Sequence, residues 1–443
     1  MADLVVRGGS VVTTDGVTVA DVAIEDGSIV AIADGVPAGR EEIDARGLHV
    51  FPAAIDVHLH FNEPGRTEWE GAATGSRALA AGGGAAFFDM PLNSTPCTIT
   101  PHEFDRKRAA LEASSIADFG IWGGLTPGAV PEMAAMAARG AVGFKAFMCD
   151  SGLPEFPRAD DGTLFEGMRE AARLGLPVAV HAENEELTKA LAATLSGTGV
   201  RDFLASRPLI AELDAIQRAL LFAAETGVRL HIVHMSAGRA VAMAAEAREK
   251  GVDVSIETCP HYLLFTDEDM ERLGALAKCA PPLRAEHDRR ALWDEILDGR
   301  VDIVASDHSP TEPAKKAGDF RRAWGGIAGV QSTYAALLEE GHFARRLPLE
   351  RIAGLMAAAP AGRFRISRKG GISQGNDADI ALIDLGHRFT LRADDLQQRH
   401  KTSPYVGRAF RGVVRRTIRR GETIFQDGRI TAHSTGRLLR PHV

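Results

Sequence analysis

Eight short apolar segments, each followed by a helix-like stretch, constrain the fold of this chain more than any other feature. The predicted strands are residues 55–60, 85–89, 118–122, 142–147, 176–181, 229–234, 252–258 and 301–307. The helix-like stretches between them include residues 68–81, 103–113, 164–174, 209–226, 238–250 and 287–297. Strand and helix alternating eight times predict an α/β fold, a closed parallel (β/α)8 TIM-like barrel. A doubly wound open sheet is the alternative, but it usually has fewer strands and a glycine-rich fingerprint after the first.

The two ends of the chain carry further short β-type segments. Residues 4–6, 11–13, 17–24 and 28–32 precede the barrel region, and residues 378–383, 413–418 and 423–425 follow it. Glycine and aspartate separate these segments, as in hairpins. Because neither end alone has enough strands for a stable core, we predict one small β-sandwich domain built from both termini. It would comprise residues 1–50 plus 366–443, beside a barrel of residues 51–365.

Composition narrows the class of protein. A hydrophobic content of 45% with 25% charged residues is ordinary for a soluble globular protein, and a net charge of −8 gives no nucleic-acid footprint. The four cysteines are far apart without a C-x-x-C pair, which argues against a disulfide framework and against a zinc knuckle. The first residues lack a charged start followed by an apolar core, so we expect no secretory leader, and no apolar run is long enough to span a bilayer. We therefore expect a cytoplasmic protein without nucleic-acid or membrane partners.

Ionisable residues fall at the carboxyl ends of five predicted strands. His58 and His60 close the first strand and, being two apart, point to the same face. The others are Lys145 on the fourth strand, His181 on the fifth, His234 on the sixth and Asp307 on the eighth. The carboxyl ends of barrel strands are where such enzymes do chemistry. Any one of the six residues is compatible with a hydrogen-bonded core position, but their coincidence indicates a metal site.

The ligand types suggest two metals. Four imidazoles and one carboxylate exceed the roughly three protein ligands of a catalytic zinc, and they suit two cations a few ångströms apart. Two such cations need an anionic bridge, which Lys145 provides only if its amine is neutral and carries CO2 as a carbamate. The alternative from the residues alone is an ion pair of Lys145 with Glu63 or Asp150. These ligands accept zinc, cobalt, manganese or iron.

At these residues the chain resembles the amidohydrolase superfamily, in its cyclic-amide branch of dihydroorotase, hydantoinase and allantoinase. The resemblance covers the barrel and both flanking β regions. It implies that His58 and His60 bind the more buried metal and His181 and His234 the other. It also implies that Lys145 is the N6-carboxylysine bridge and that Asp307 binds metal and shuttles protons. Two divalent ions, most typically zinc, CO2 for the lysine and a homotetramer follow from the same resemblance.

Within that branch the chain is most similar to the allantoinases, at residues 62–71, 89–93, 151–156 and 323–329. Asn62 stands where a dihydroorotase is expected to carry an arginine for a substrate carboxylate, and an amide suits a neutral ureide instead. The resemblance thus implies ring opening of allantoin to allantoate by a metal-bound hydroxide, with Asp307 moving the proton. Asn62 and Ser309 are candidates for orienting the ring, although Asn62 is equally typical of an Asx turn.

Other functions remain open at this point. A hydantoinase or dihydropyrimidinase would act on related rings, and a dihydroorotase is disfavoured by Asn62. A non-catalytic relative that uses the scaffold for assembly would be expected to lack some metal ligands.

Two further structural features are predicted from the sequence. His231, three residues before His234, should point to the opposite face of its strand. Residues 312–322 are predicted to form a long polar loop after the eighth strand, a position from which a loop can move and shape the pocket.

Overall fold

The computed structural model describes residues 1–442 and begins with five β strands. They are β1 (Leu4–Thr13), β2 (Gly16–Glu25), β3 (Ser28–Ala33), β4 (Glu41–Asp44) and β5 (His49–Pro52). Asp26 and Gly27 join β2 to β3, and both have positive φ. A two-residue hairpin turn of type I′ requires positive φ at both of its central residues. Local turn chemistry therefore sets the antiparallel start of the chain.

The barrel strands follow in chain order. They are β6 (Ala54–Leu59), β7 (Gly84–Asp89), β8 (Asp118–Ile121), β9 (Gly123–Gly124), β10 (Phe144–Phe147), β11 (Pro177–His181), β12 (Arg229–Ile232), β13 (Val254–Thr258) and β14 (Ile303–Val304). β8 pairs with β7 and β9 with β10, so these two short strands share one barrel position. A parallel bridge between Leu59 and His308 joins the last position to the first. The predicted eight-position barrel is confirmed.

Helices lie between the barrel strands and after the last of them along the chain. They are α1 (Ala72–Ala81), α2 (Pro101–Ser114), α3 (Met133–Arg139), α4 (Asp161–Arg173), α5 (Glu185–Thr194), α6 (Val200–Ser206), α7 (Leu209–Thr226), α8 (Gly238–Glu249), α9 (Pro260–Leu264), α10 (Asp267–Leu273), α11 (Glu286–Leu297), α12 (Thr333–Ala336), α13 (Leu349–Ala353) and α14 (Ala359–Arg363). α7 buries Leu213, Ile216 and Leu220, an apolar stripe at helical spacing. Within residues 1–442, no helix combines the length and apolar character needed to cross a membrane.

The last strands return to the first sheet. They are β15 (Ile380–Thr390), β16 (Ala409–Arg419), β17 (Glu422–Gln426) and β18 (Arg429–Ile430). β15 pairs antiparallel with both β5 and β16, so strands from the two ends form one nine-stranded sheet. Val6, Val22 and Ile380 lie in its buried core. The prediction that both ends build one β domain is confirmed, while its boundaries at residues 50 and 366 stay a prediction.

A buried ion cluster ties this β domain to the barrel. Lys369 Nζ lies 2.8 Å from Asp118 Oδ2, 3.0 Å from Asp377 Oδ2 and 2.6 Å from Asp379 Oδ2. Burial alone would lower the pKa of Lys369, but Asp379, Asp118 and Asp377 outweigh it and raise that pKa. Asp118 belongs to β8, whereas the other carboxylates precede β15. The cluster therefore links two parts of the chain far apart in sequence.

Removing this lysine should destabilise the protein. We expect Lys369→Met to lower the free energy of unfolding by about 3–5 kcal/mol, because buried carboxylates lose their central cation. Urea unfolding followed by circular dichroism measures the effect. Lys250→Met is the control, because Lys250 pairs with Glu246 on an exposed surface and should leave the unfolding midpoint unchanged. Equal midpoints for Lys369→Met and the wild type would contradict the role given to the cluster.

Candidate metal centre

His58 and His60 enter the barrel mouth from the end of β6 and face Asp307. Their Nε2 atoms lie 3.3 Å and 3.4 Å from the same oxygen, Asp307 Oδ1. His58 Nδ1 donates to Glu257 Oε1 at 2.7 Å, and His60 Nδ1 donates to the carbonyl oxygen of Leu92 at 3.3 Å. A neutral imidazole with its hydrogen on Nδ1 has only a lone pair on Nε2. Three acceptor atoms therefore converge without a donor, an arrangement that a cation satisfies.

The backbone at this end of the barrel is held in uncommon conformations. His234 and Asp307 have φ values of 41° and 43°, which few residues other than glycine adopt. The Asp56 carboxylate accepts the backbone N–H groups of His58 and Ser306, each at 3.2 Å, and so connects the first and eighth strand positions. Such conformations concentrate at functional sites, where the surrounding structure fixes side chains in one direction.

His181 and His234 form a second pair of candidate ligands. His181 Nδ1 lies 3.0 Å from His234 Nε2, and His181 Nε2 donates to Glu183 Oε2 at 2.8 Å. Burial lowers the pKa of both histidines, so both stay neutral at pH 7. Neutral imidazoles are the form that binds metals. His234 Nδ1 has no hydrogen-bond partner in the part of the chain that the structure describes.

Lys145 lies on β10, completely buried. No residue among 1–442 forms a hydrogen bond with its Nζ. Burial lowers the pKa of Lys145 to about 7, although the nearby carboxylates of Glu257 and Asp307 act to raise it. A substantial fraction of the amine is therefore neutral at pH 7, the form that reacts with CO2.

The alternative ion pairs of Lys145 do not form. Glu63 accepts the backbone N–H of Ala72 at 2.7 Å, and Asp150 accepts that of Gly152 at 3.0 Å. Neither carboxylate lies within ion-pair distance of the lysine among the described salt bridges. The interpretation of Lys145 as the partner of Glu63 or Asp150 is therefore wrong.

The histidines and Asp307 line one cavity of about 620 Å³, a size typical of small-molecule sites. Ser309 also lines it, and Asn93 Nδ2 donates to the Ser309 hydroxyl at 3.3 Å. Asn62 lies elsewhere. It is buried, its φ is 64°, its amide donates to the Pro310 carbonyl at 3.2 Å, and the lining drawn from residues 1–442 does not include it.

The loop after the eighth strand covers one side of this cavity. Arg321, Arg322 and Trp324 belong to the lining, so the prediction that this loop shapes the pocket is confirmed. Its position is fixed by Lys278, whose Nζ donates to the carbonyls of Phe320 and Ala323, each at 2.7 Å. The loop is not entirely irregular, because Pro313–Lys316 forms a single 3-10 turn.

Glu257 and His231 contribute to the site although neither was predicted to do so. His231 Nε2 donates to Glu257 Oε2 at 2.9 Å, and its Nδ1 lies 2.8 Å from Ser255 Oγ. The prediction that His231 faces away from His234 is wrong, because β12 ends at Ile232 and the positive φ of His234 breaks the alternation. Burial would raise the pKa of Glu257, but His58 and His231 lower it to about 2.

A signal for Glu257 is present in the sequence. It lies near the carboxyl end of β13, the seventh barrel position, where no ionisable side chain was predicted to take part in the site. Glu183 has a weaker signal, since it follows the predicted ligand His181 by two residues. Burial would raise the pKa of Glu183 as well, but Arg207 and His181 lower it to about 2. Both carboxylates are therefore ionised hydrogen-bond acceptors beside candidate ligands.

Comparison with known proteins agrees with this geometry. Residues 49–424 match the model of the Amidohydrolase family. A Solibacter usitatus protein named allantoinase is 62% identical over 445 residues, spanning 100% of this chain and 97% of that protein. A Deinococcus radiodurans protein of the same name is 52% identical, with 99% of each chain covered. The solved structure of the L-hydantoinase (dihydropyrimidinase) from Arthrobacter aurescens is similar at a TM-score of 0.97 and 33% identity, covering 99% of this chain and 100% of that one.

Proposed function

The chain belongs to the amidohydrolase family, and on that premise we propose that it hydrolyses the cyclic ureide allantoin to allantoate. The observation that carries the proposal is the convergence of His58, His60 and Asp307 acceptor atoms at the mouth of a barrel cavity. The choice of allantoin is supported by the names of relatives that match along the whole chain. Hydantoinase activity is the second candidate, supported by the similarity to the hydantoinase structure.

The residues present fit two divalent cations. His58, His60 and Asp307 would hold one, and His181 and His234 the other. Lys145 would bridge them as an anionic carbamate, formed when its neutral amine attacks the carbon of CO2 and the released proton passes to solvent. When bound, such cations polarise a carbonyl oxygen and lower the pKa of water, so that hydroxide is available near neutral pH. Zinc is the proposed metal, with cobalt, manganese or iron as alternatives.

Asp307 is proposed to move the proton. Burial would raise the pKa of its carboxyl, but the imidazoles of His58 and His60 outweigh burial and hold that pKa well below its usual range. The carboxylate is therefore ionised at neutral pH and can accept the proton released when water adds to the ring carbonyl. Passing this proton to the ring nitrogen allows the nitrogen to leave as the NH2 of a ureido group, so one residue serves as base and then as acid.

Ser309 is proposed to orient the ring. Its hydroxyl lies on the cavity wall and accepts a hydrogen bond from Asn93, which leaves the Ser309 O–H free to donate to a substrate carbonyl. Asn62, proposed from the sequence as another substrate contact, would act indirectly, by holding the segment that carries Ser309. Its amide fixes the carbonyl of Pro310, the residue that follows Ser309.

A comparison of four substrates tests the proposed function. We expect kcat/KM for allantoin to exceed that for hydantoin, dihydrouracil and dihydroorotate by at least about 100-fold, because a site that hydrogen-bonds a polar arm discriminates against rings without it. Ring opening is followed by chromatography of the products. Preferred turnover of hydantoin or dihydrouracil would support the same hydrolytic mechanism with a different substrate. Preferred turnover of dihydroorotate would contradict the interpretation of Asn62. Inactivity on all four, without bound metal, would favour a non-catalytic scaffold.

The assembly and the compartment stay predictions. We propose a homotetramer, on the resemblance to the cyclic-amide branch. We propose a cytoplasmic location, supported by four cysteines that are all buried and unpaired among residues 1–442.

A further inference from the structure

Two buried carboxylates contact histidines of the candidate metal centre through different ring nitrogens. Glu257 Oε1 accepts from Nδ1 of His58 at 2.7 Å, and Glu183 Oε2 accepts from Nε2 of His181 at 2.8 Å. Both carboxylates are completely buried. The bonds leave the opposite nitrogens free, Nε2 of His58 and Nδ1 of His181. These are the atoms that face Asp307 and His234.

We propose that Glu257 and Glu183 are positioning residues, each selecting the ring nitrogen that one histidine offers to its metal. The inference rests on the proposed binuclear site and assigns one carboxylate to each metal. A neutral imidazole carries a single N–H that can sit on either nitrogen, and a histidine with the hydrogen on the inward nitrogen cannot bind a metal through it. An acceptor behind the ring fixes the hydrogen there and holds the ring plane.

The Glu257 carboxylate acts only as a hydrogen-bond acceptor. Besides His58, its Oε1 accepts the backbone N–H of His234 at 3.1 Å, and its Oε2 accepts from His231 Nε2 at 2.9 Å. His231 is held in turn by Ser255. Three donors around one buried carboxylate stabilise its ionised form, which has no hydrogen to give to His58. The bond to the His234 backbone also places that second ligand relative to the first.

Glu183 is kept ionised by a different partner. Arg207 Nη1 donates to the same oxygen that His181 uses. The backbone of Arg207 is fixed as well, because its carbonyl accepts from Arg284 Nη1 at 2.7 Å and Arg284 pairs with Glu212 at 2.9 Å. The guanidinium therefore supplies the charge that Glu183 needs, while the Glu183–His181 bond selects the nitrogen.

The test counts metals in the full-length protein. The variants are Glu257→Gln, whose amide must present N–H either to His58 or to His231, and Glu183→Met, which removes the acceptor. Each protein is dialysed against metal-free buffer, and zinc per chain is measured by mass spectrometry. We expect each variant to lose one of the two metals, with zinc affinity at the affected site about 10- to 100-fold weaker.

Two further variants serve as controls. Glu212→Gln alters a buried carboxylate that bonds to Ser236 and Arg284, and it should keep both metals. Arg207→Lys keeps a cation beside Glu183 and leaves the Glu183–His181 bond, so it should also keep both. Circular dichroism of the metal-stripped proteins, and reloading at 100 times the wild-type zinc concentration, separate weaker binding from misfolding.

Four outcomes would each contradict a different part of these proposals. Wild-type zinc affinity in folded Glu257→Gln and Glu183→Met would overturn the inference, and so would equal metal loss in Arg207→Lys and Glu183→Met. A wild type that binds no metal would overturn the binuclear centre and this inference with it. A wild type with two metals that leaves allantoin unchanged would overturn only the proposed substrate.

Discussion

Lys145→Ala is expected to lower kcat/KM for allantoin by at least about 1,000-fold, because loss of a bridging anion removes several kcal/mol of transition-state stabilisation. The wild-type lysine is completely buried, and no hydrogen-bond partner for its Nζ is found among the described residues. Its pKa is lowered to about 7, so it is poorly suited to a structural ion pair and well suited to accept CO2. Alanine offers no atom for a carbamate.

Kinetics and metal content together measure this effect. Wild-type and variant proteins are supplied with bicarbonate and zinc, and the variant should hold fewer than about two metals per chain. Lys369→Met is the matched control, because Lys369 is also a buried lysine but pairs with three aspartates, none of which is a candidate metal ligand. It should reduce stability while the folded fraction keeps its metals and its turnover. A Lys145→Ala protein with wild-type kcat would mean that the bridge is not needed.

Asp307→Asn is expected to lower kcat for allantoin by about 100- to 10,000-fold, the range typical of lost general acid–base catalysis. Asparagine keeps the shape of the side chain. It cannot take up the proton, and its amide can present N–H to the Nε2 atoms of His58 and His60, which lie 3.3 Å and 3.4 Å from the wild-type oxygen. Steady-state kinetics should show a larger fall in kcat than rise in KM.

Asp302→Asn is the control for that substitution. Asp302 lies on the same segment, just before β14, but its carboxylate pairs with Arg248 and accepts the backbone N–H of Ile256. Its replacement should leave kcat unchanged. If Asp307→Asn also retained the wild-type kcat, proton transfer would have to be assigned to another residue.

The barrel was predictable because its signals are local. Each strand is a short apolar segment ended by polar or glycine residues, and a helical stretch follows. The first strand of the β domain was harder to predict from the sequence. Residues 4–6 and 11–13 were predicted as separate pieces, yet they form the single strand β1. Gly8, with a φ of 62°, lies in an irregularity of the pairing between Val6 and Gly9, where the strand continues past glycines that resemble a turn.

The candidate ligands were visible for a related reason, since they follow apolar strands directly. The groups behind them were not, because Glu257 meets His58 only when the seventh and first barrel positions come together. The alternation of side chains along a strand does not predict the backbone turn at His234. For that reason His231 was predicted to lie on the face opposite to His234. Sequence thus predicts residues at strand ends better than hydrogen bonds between distant strands.

Metal-dependent hydrolysis of allantoin is tested by measuring allantoate formation by the wild-type protein, purified with bicarbonate and divalent metal, before and after complete removal of the metal by a chelator. We expect the metal-loaded protein to form allantoate rapidly, to lose this activity on chelation and to regain it when metal is restored. Unchanged turnover in metal-free protein, or no allantoate from protein that holds two metals per chain, would contradict it.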